Sequence, residues 1–389
     1  EAQCESFFCQ ANAMTANVDS TSPPFIVHTE SSRSWGGQEM RVLTELREMR
    51  RRGCRVALVT RDKAEITERA QEEAIDVHEV QSFSMFNPLV WWRVWRLIRQ
   101  LKPDVLNAHS ARDSWVAASL ARLAGVPLVL RTRHIAAPIS SALSFRFPHE
   151  ILACSAAIAQ QLISQKVSQD KIAVVPTGND PKRYCYSAEK RQLARRKYHV
   201  SDDEVLLGNV GFLRDYKGQN FILEVLAELP PTYKVMLVGK GDEWDNLHAQ
   251  ARQLGIEERV IFCGHQEKTE DFYSAFDLFF FSSYAAEGVA QALVQALLSG
   301  LPILACRLPS TEEVLAHLDD CLLVGYGDVA EALQLVKSLT IKPGRDPEKM
   351  AKRHQLVAAR YGLPVMMQLL EQVYAQFGVT LPSTKGNNS

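Results

Sequence analysis

Short apolar runs alternate with amphipathic helical stretches along almost the whole chain, and this alternation limits the available folds more than any other feature. FIVHTE (25–30), RVALVT, IDVHEV, DVLNAHS, PLVLRTRH, HEILACS and KIAVVPTG each suit a strand buried on both faces. Between them lie helical patterns. QEMRVLTELREMRRRG carries Met40, Leu43, Leu46 and Met49 on one face and ends at Gly53. The stretches Ala64 to Ala74, Pro88 to Leu101 and the run ending at Ala124 also read as helices. Strand–helix–strand repeats give right-handed crossovers and a parallel sheet with helices on both faces.

The pattern restarts after PTGNDPKRY and the charged helix AEKRQLARRKY. EVLLGNVGF, a helix from Gly218, YKVMLVGKG, a helix to Leu254, RVIFCGH, DLFFFSSY and PILACR then repeat the first half's logic. The expected class is α/β with two Rossmann-like domains of parallel sheet, and 389 residues suffice for both. Residues 21–183 are expected to form the first domain, 184–362 the second, and 363–380 a terminal helix crossing back to the first. Residues 381–389 read as a polar tail, and 1–20 as a leader or tag, because ESFFCQANAM resembles a protease-site remnant before Met14.

Composition removes several classes of function. Lys plus Arg number 44 against 45 Asp plus Glu, without the basic excess of a nucleic-acid binder. No apolar run approaches the roughly 18 residues of a membrane span, so a cytoplasmic protein is expected. The eight cysteines form no CxxC pair, and neither disulfides nor zinc is expected.

Chemistry concentrates at strand ends, where such sheets bind ligands. The stretch Ser282 to Ala305 reads as strand, loop and helix, with Val289, Ala292, Leu293, Ala296 and Leu297 on one helical face and Gly300 and Pro302 ending it. Glu287, Gln291 and Gln295 step along the other side, with roughly 12 Å between the first and last. Backbone N–H groups of Gly288, Val289 and Ala290 at the helix mouth would hold a diphosphate. The same pattern also fits an ordinary amphipathic helix. LRDYKGQN supplies Arg214 and Lys217, two cations that would clamp a diphosphate and stabilise it as it leaves.

In the first half, Gly36 and Gly37 give a sharp turn before a helix but do not make the GxGxxG dinucleotide fingerprint. His28, His109 and His134 all fall near strand ends, and Arg131 and Arg133 flank the last of them. Histidines and carboxylates lack a close ligand spacing, so no metal site is expected.

These motifs resemble those of retaining glycosyltransferases of the GT-B fold, family-4-like, whose usual signature is two glutamates separated by seven residues and beginning EGFG. Glu287 and Gly288 match, while Gln295 replaces the second Glu and Ala290 the second Gly. WGGQE followed by RVL resembles the glycine loop that opens the family's acceptor domain beside the donor phosphates, and RTRH resembles the segment whose histidine reaches the donor sugar. The resemblance implies two Rossmann-like domains facing a central cleft. It implies that Glu287 holds the donor sugar, His134 contacts it, Lys217 and Arg214 bind the diphosphate, and Gln295 sits at the ribose. Phe212 stands where the family's usual arginine does. His265 and Gln266 of GHQE fall in the loop near the nucleobase, and His109 and Arg133 are candidates on the acceptor side.

The function expected from this resemblance is metal-independent, cofactor-free transfer of a sugar from a nucleoside diphosphate to a glycan or lipid-linked acceptor, as in lipopolysaccharide or cell-surface polysaccharide synthesis. A non-catalytic nucleotide-sugar binder or membrane scaffold is the alternative. NPLVWWRVWRLIRQLKPD interleaves Trp91, Trp92 and Trp95 with Arg93, Arg96 and Arg99. That mixture suits peripheral contact with an anionic membrane on the cytoplasmic face of the inner membrane, and equally a helix covering a sheet.

Overall fold

The computed structural model describes residues 22–136, 142–285, 288–339 and 346–382. The leader expected at 1–20, most of the expected tail and Glu287 lie outside the described residues. The chain divides into two compact units, one of residues 1–178 with 364–389 and the other of Asn179–Leu363.

Seven parallel strands build the sheet of the N-terminal unit: β1 (Phe25–Glu30), β2 (Arg55–Arg61), β3 (Asp76–Val80), β4 (Val105–Ala108), β5 (Leu128–Arg133), β6 (Glu150–Ala153) and β7 (Ile172–Val174). Their order is β3-β2-β1-β4-β5-β6-β7, which places a topological switch between β1 and β4. All six residues of β1 are buried. For Phe25, Ile26 and Val27 that follows from helices covering both faces. His28, Thr29 and Glu30 are buried with them and need partners inside.

Local chemistry sets the helix ends. Helix Pro88–Leu101 starts where Asn87 accepts the Leu89 N–H at 3.0 Å and Pro88 occupies the first turn, and it stops at left-handed Lys102. The run to Ala124 is not one α-helix as expected. A π-helical segment, Ser114–Ala118, separates Ala111–Asp113 from Ser119–Leu123, and the hydroxyls of Ser114 and Ser119 bond back to the carbonyls of Ser110 and Trp115. The closing helix Leu363–Gln376 carries Glu371, whose carboxylate accepts from Arg52 at 3.0 Å.

The second unit repeats the design with six parallel strands: β8 (Val205–Val210), β9 (Tyr233–Val238), β10 (Val260–Gly264), β11 (Leu278–Phe281), β12 (Ile303–Cys306) and β13 (Cys321–Val324). Their order β10-β9-β8-β11-β12-β13 puts the switch between β8 and β11. Asp277, just before β11, binds Arg191 at 2.7 Å and Arg195 at 3.1 Å, which fastens helix Ala188–Lys197 to the sheet. This unit's first residue, Asn179, lies beside Gly362, with the Asn179 N–H on the Tyr361 carbonyl at 2.9 Å and the Leu363 N–H on the Asn179 carbonyl at 2.8 Å. That pairing explains a division at 178/179 rather than after 183. Among the described residues no helix is long and apolar enough to cross a membrane.

Candidate functional site

At the switch point of the second unit, the loops leaving β8 and β11 are bonded to each other. Asp215–Lys217 forms a single tight turn closed by Gly218 at φ +64°. Ser282 donates its hydroxyl to the Lys217 carbonyl at 2.7 Å, the Tyr284 N–H donates to the Tyr216 carbonyl at 3.0 Å, and the Tyr284 hydroxyl donates to Asp215 at 2.7 Å. A Cβ on Gly218 would stand 2.4 Å from the Ser282 carbonyl oxygen, so this turn admits only glycine. Its two cations, Arg214 and Lys217, are exposed and half-buried respectively. The Arg214 guanidinium stacks 4.8 Å over the ring of Phe212. The aromatic residue thus steadies the arginine two positions on.

Beside this turn the floor is bare backbone. A Cβ on Gly239 would fall 1.8 Å from the Gly211 carbonyl oxygen, and one on Gly241 2.1 Å from that of Leu213. His265, one residue past the left-handed Gly264, is exposed. Gln266 turns back and donates to the Cys263 carbonyl at 2.8 Å.

The late helix departs from expectation in two ways. It spans Gln291–Leu298, with Ala290 extended at its start, so Gly288, Val289 and Ala290 precede it and are buried loop residues rather than its mouth. Half-buried Gln291 is its first residue. The helix also has no long polar face, because Leu293 through Leu298 are all buried. Its far side is covered by helix Pro347–Tyr361, from which Arg353 donates to the Gly300 carbonyl and His354 to that of Leu298, each at 2.6 Å. Gln295, expected on the polar face, is instead 4% exposed. Its amide oxygen accepts the Tyr273 hydroxyl at 2.8 Å and its amide nitrogen donates to Asn179 at 3.1 Å.

In the N-terminal unit the carboxyl ends of β1, β4 and β5 bring three histidines together. His28 Nδ1 lies 2.9 Å from His109 Nε2, and His109 Nδ1 lies 3.0 Å from His134 Nε2. Burial pulls the His28 imidazole down to about 4 and holds His109 and His134 well below their usual range, so all three are neutral at pH 7. Asp113 braces the turn after β4, accepting from the Thr29 hydroxyl at 2.7 Å, the Ser110 N–H at 2.9 Å and the His109 N–H at 3.0 Å. Arg131 is a packing residue, its guanidinium 3.6 Å over Phe145 and bonded to Ser144 at 2.7 Å, whereas Arg133 is half-buried.

The glycine loop does not make the expected sharp turn. Gly36 is extended (φ −152°, ψ −163°) and gives its N–H to Glu39 at 2.9 Å, while Gly37 opens the helix and is exposed. Glu30, at the end of β1, accepts from Gln38 at 2.6 Å and from the Ser32 N–H at 2.8 Å. Burial, reinforced by Asp113 and Glu39, pushes its carboxyl up to about 8. Sequence reading missed Glu30 and the buried pair Arg41 and Glu45, which lie four apart on helix Gly37–Arg51 and bond at 2.6 Å. For Glu30 the available signal was a polar side chain inside an apolar strand run, whereas Arg41 and Glu45 fall outside the helix face marked by Met40, Leu43, Leu46 and Met49, so the apolar spacing gave none.

Known proteins carry the same architecture. Residues 35–183 match the family model Glycosyltransferase Family 4, and residues 169–357 match Glycosyl transferases group 1. The lipopolysaccharide core biosynthesis glycosyltransferase LpsE of Rhizobium meliloti is 23% identical over 303 residues, which span 76% of this chain and 82% of that protein. An Escherichia coli UDP-Gal:alpha-D-GlcNAc-diphosphoundecaprenol alpha-1,3-galactosyltransferase is 21% identical over 64% of this chain and 69% of its own length. The crystal structure of Anabaena HepE in complex with UDP-glucose superposes with a TM-score of 0.79 at 21% identity, covering 90% of this chain and all of that one (100%).

Proposed function

Since the chain belongs to the family-4 glycosyltransferases of the GT-B fold, we propose that it moves a hexose from a uridine diphosphate sugar to a hydroxyl of a glycan or lipid-linked acceptor, with retention at the anomeric carbon and without a metal. The carrying observation is the Arg214–Gly218 turn, two cations on a loop clamped to the neighbouring strand end beside bare backbone. Lys217 and Arg214 bind the diphosphate and balance the charge that grows on it as the sugar leaves, the role a metal plays elsewhere. Glu287 holds the donor sugar and His134 contacts it. The first turn at Gln291 adds hydrogen-bond donors for the phosphates. The named activities of the R. meliloti and E. coli relatives support an acceptor in lipopolysaccharide or cell-surface polysaccharide synthesis.

Helix Pro88–Leu101 supports action at the cytoplasmic face of a membrane. Phe86 is 90% exposed and Trp92 54%, with Met85 and Leu89 exposed beside them and Arg93, Arg96 and Arg99 further along. Apolar side chains at one end and arginines behind them fit an anionic bilayer.

Incubation with UDP, GDP, ADP and CDP sugars, with and without a lipid-extract acceptor, tests the proposal. We expect acceptor-dependent release of UDP that survives EDTA, and a product with the donor's anomeric configuration. Lys217→Ala should lower turnover about 10²–10³-fold with an unchanged circular dichroism spectrum. A folded protein that releases no diphosphate from any donor would refute the reading.

A further inference from the structure

The three histidines end on a buried ion pair that the proposed chemistry does not use. Arg41 Nε donates to Glu45 Oε1 at 2.6 Å, and Glu45 Oε2 lies 3.9 Å from His28 Nε2. Both of these facing atoms are buried and otherwise without a hydrogen-bond partner. At the other end, His134 Nδ1 stands 3.6 Å from the Cys154 thiol, which also receives the Arg41 Nη1–H at 2.9 Å.

A neutral imidazole has one N–H and one lone pair, so a row of three can be ordered in only two ways. Either every ring carries its proton on Nε2 and the N–H bonds point towards Glu45, or every proton is on Nδ1 and a bare His28 Nε2 faces the carboxylate. The second order sets a lone pair against a negative oxygen in a buried site. Arg41 does not cancel this preference, because Glu45 Oε2 is the atom that faces His28 Nε2, while the Arg41 guanidinium is engaged with Glu45 Oε1, Cys154 and the Val175 carbonyl. We propose that Glu45, acting through His28 and His109, fixes the tautomer of His134 so that its Nδ1 is a hydrogen-bond acceptor. Glu45, His28 and His109 are then positioning residues. Where His134 Nδ1 now meets a thiol, a weak donor, a hydroxyl of the donor sugar would make the stronger bond. This last step rests on His134 being a donor-sugar contact; the tautomer order does not.

His28, Glu45 and His109 also present ligand atoms within 4.8 Å of one another, as a metal site would. The buried Arg41 guanidinium on Glu45 opposes a second cation there, and the histidines already satisfy each other.

The test is the ring-nitrogen spectrum of the full chain labelled with ¹⁵N-histidine, assigned with His28→Asn, His109→Asn and His134→Asn. Three Nε2–H tautomers in the native protein support the relay, and Nδ1–H on any of the three overturns it, as does equimolar divalent metal that the Glu45→Gln protein loses. In Glu45→Gln the amide oxygen stays on Arg41 and its NH₂ faces His28, so all three tautomers should invert. Turnover should fall about tenfold, with the acceptor KM unchanged, and Glu45→Asp should restore both properties. A folded Glu45→Gln that keeps the native tautomers overturns the relay. Inverted tautomers with undiminished turnover uphold the relay and remove His134 from the donor sugar. Should Glu45→Gln not fold, the native spectrum alone decides.

Discussion

Tyr273 gives its hydroxyl to Gln295, and Gln295 gives its amide to Asn179, the first residue of the C-terminal unit. A side chain engaged at both ends and shielded from water braces the fold instead of sensing a ligand. Gln295→Leu would remove one partner each from a buried phenol hydroxyl and a buried carboxamide, at a cost of about 1–3 kcal/mol. Urea unfolding should register that loss while the affinity for the nucleotide sugar stays within twofold. A large loss of affinity with unchanged stability would return Gln295 to the ribose. The contrast with Lys217 is one of surroundings: that half-buried residue stands on a turn whose backbone carbonyl accepts from Ser282.

Among elements, helix Ala188–Lys197 is anchored through a buried carboxylate. Asp277 is buried and meets Arg191 and Arg195, and Arg195 also donates to the carbonyls of Ala275, Ser201 and Glu204. Removing one partner of a buried pair leaves an uncompensated charge, so Asp277→Ala should destabilise the C-terminal unit by about 3–5 kcal/mol. Its urea midpoint will show this. Helix Pro88–Leu101 is the opposite case. Its core side, Val90, Val94 and Ile98, is buried, while Leu89 and Trp92 are exposed. Trp92→Ser with Arg96→Glu should change stability by no more than about 0.5 kcal/mol, yet abolish flotation with anionic vesicles. Retained flotation would remove this helix from the membrane.

For the whole molecule, the buried histidines set a dependence on pH. In the unfolded chain His28 takes a proton near 6.5, and in the folded chain it stays neutral down to about 4. Between those values the unfolded state binds the extra proton, so the fold loses about 1.4 kcal/mol per pH unit from this group as the pH falls. Glu30 acts in the other direction: protonated up to about 8 when folded and ionised above 4.5 when unfolded, it weakens the fold as pH rises through that range. The difference in unfolding free energy between native protein and His28→Asn, followed from pH 6.5 to 4, isolates the first effect. It should shrink as the pH falls, and a constant difference would mean that His28 is charged in the folded state.

Much of this architecture is legible in the chain itself. Strands such as FIVHTE and DLFFFSSY announce themselves because a parallel sheet covered on both faces needs unbroken apolar runs, and the helix after Asn87 because its cap and proline are local. Local pattern does not carry the start of the late helix, delayed to Gln291 by an extended Ala290, or the burial of Gln295, whose partners Tyr273 and Asn179 come from distant parts of the chain. The three histidines show the division most plainly. Their nearness to strand ends is written in the sequence, but 81 residues separate His28 from His109 and 25 separate His109 from His134. Only the order of strands, with β1 beside β4 and β4 beside β5, joins them into one row, because adjacency across a sheet is chosen by packing the whole unit and not by any segment of it.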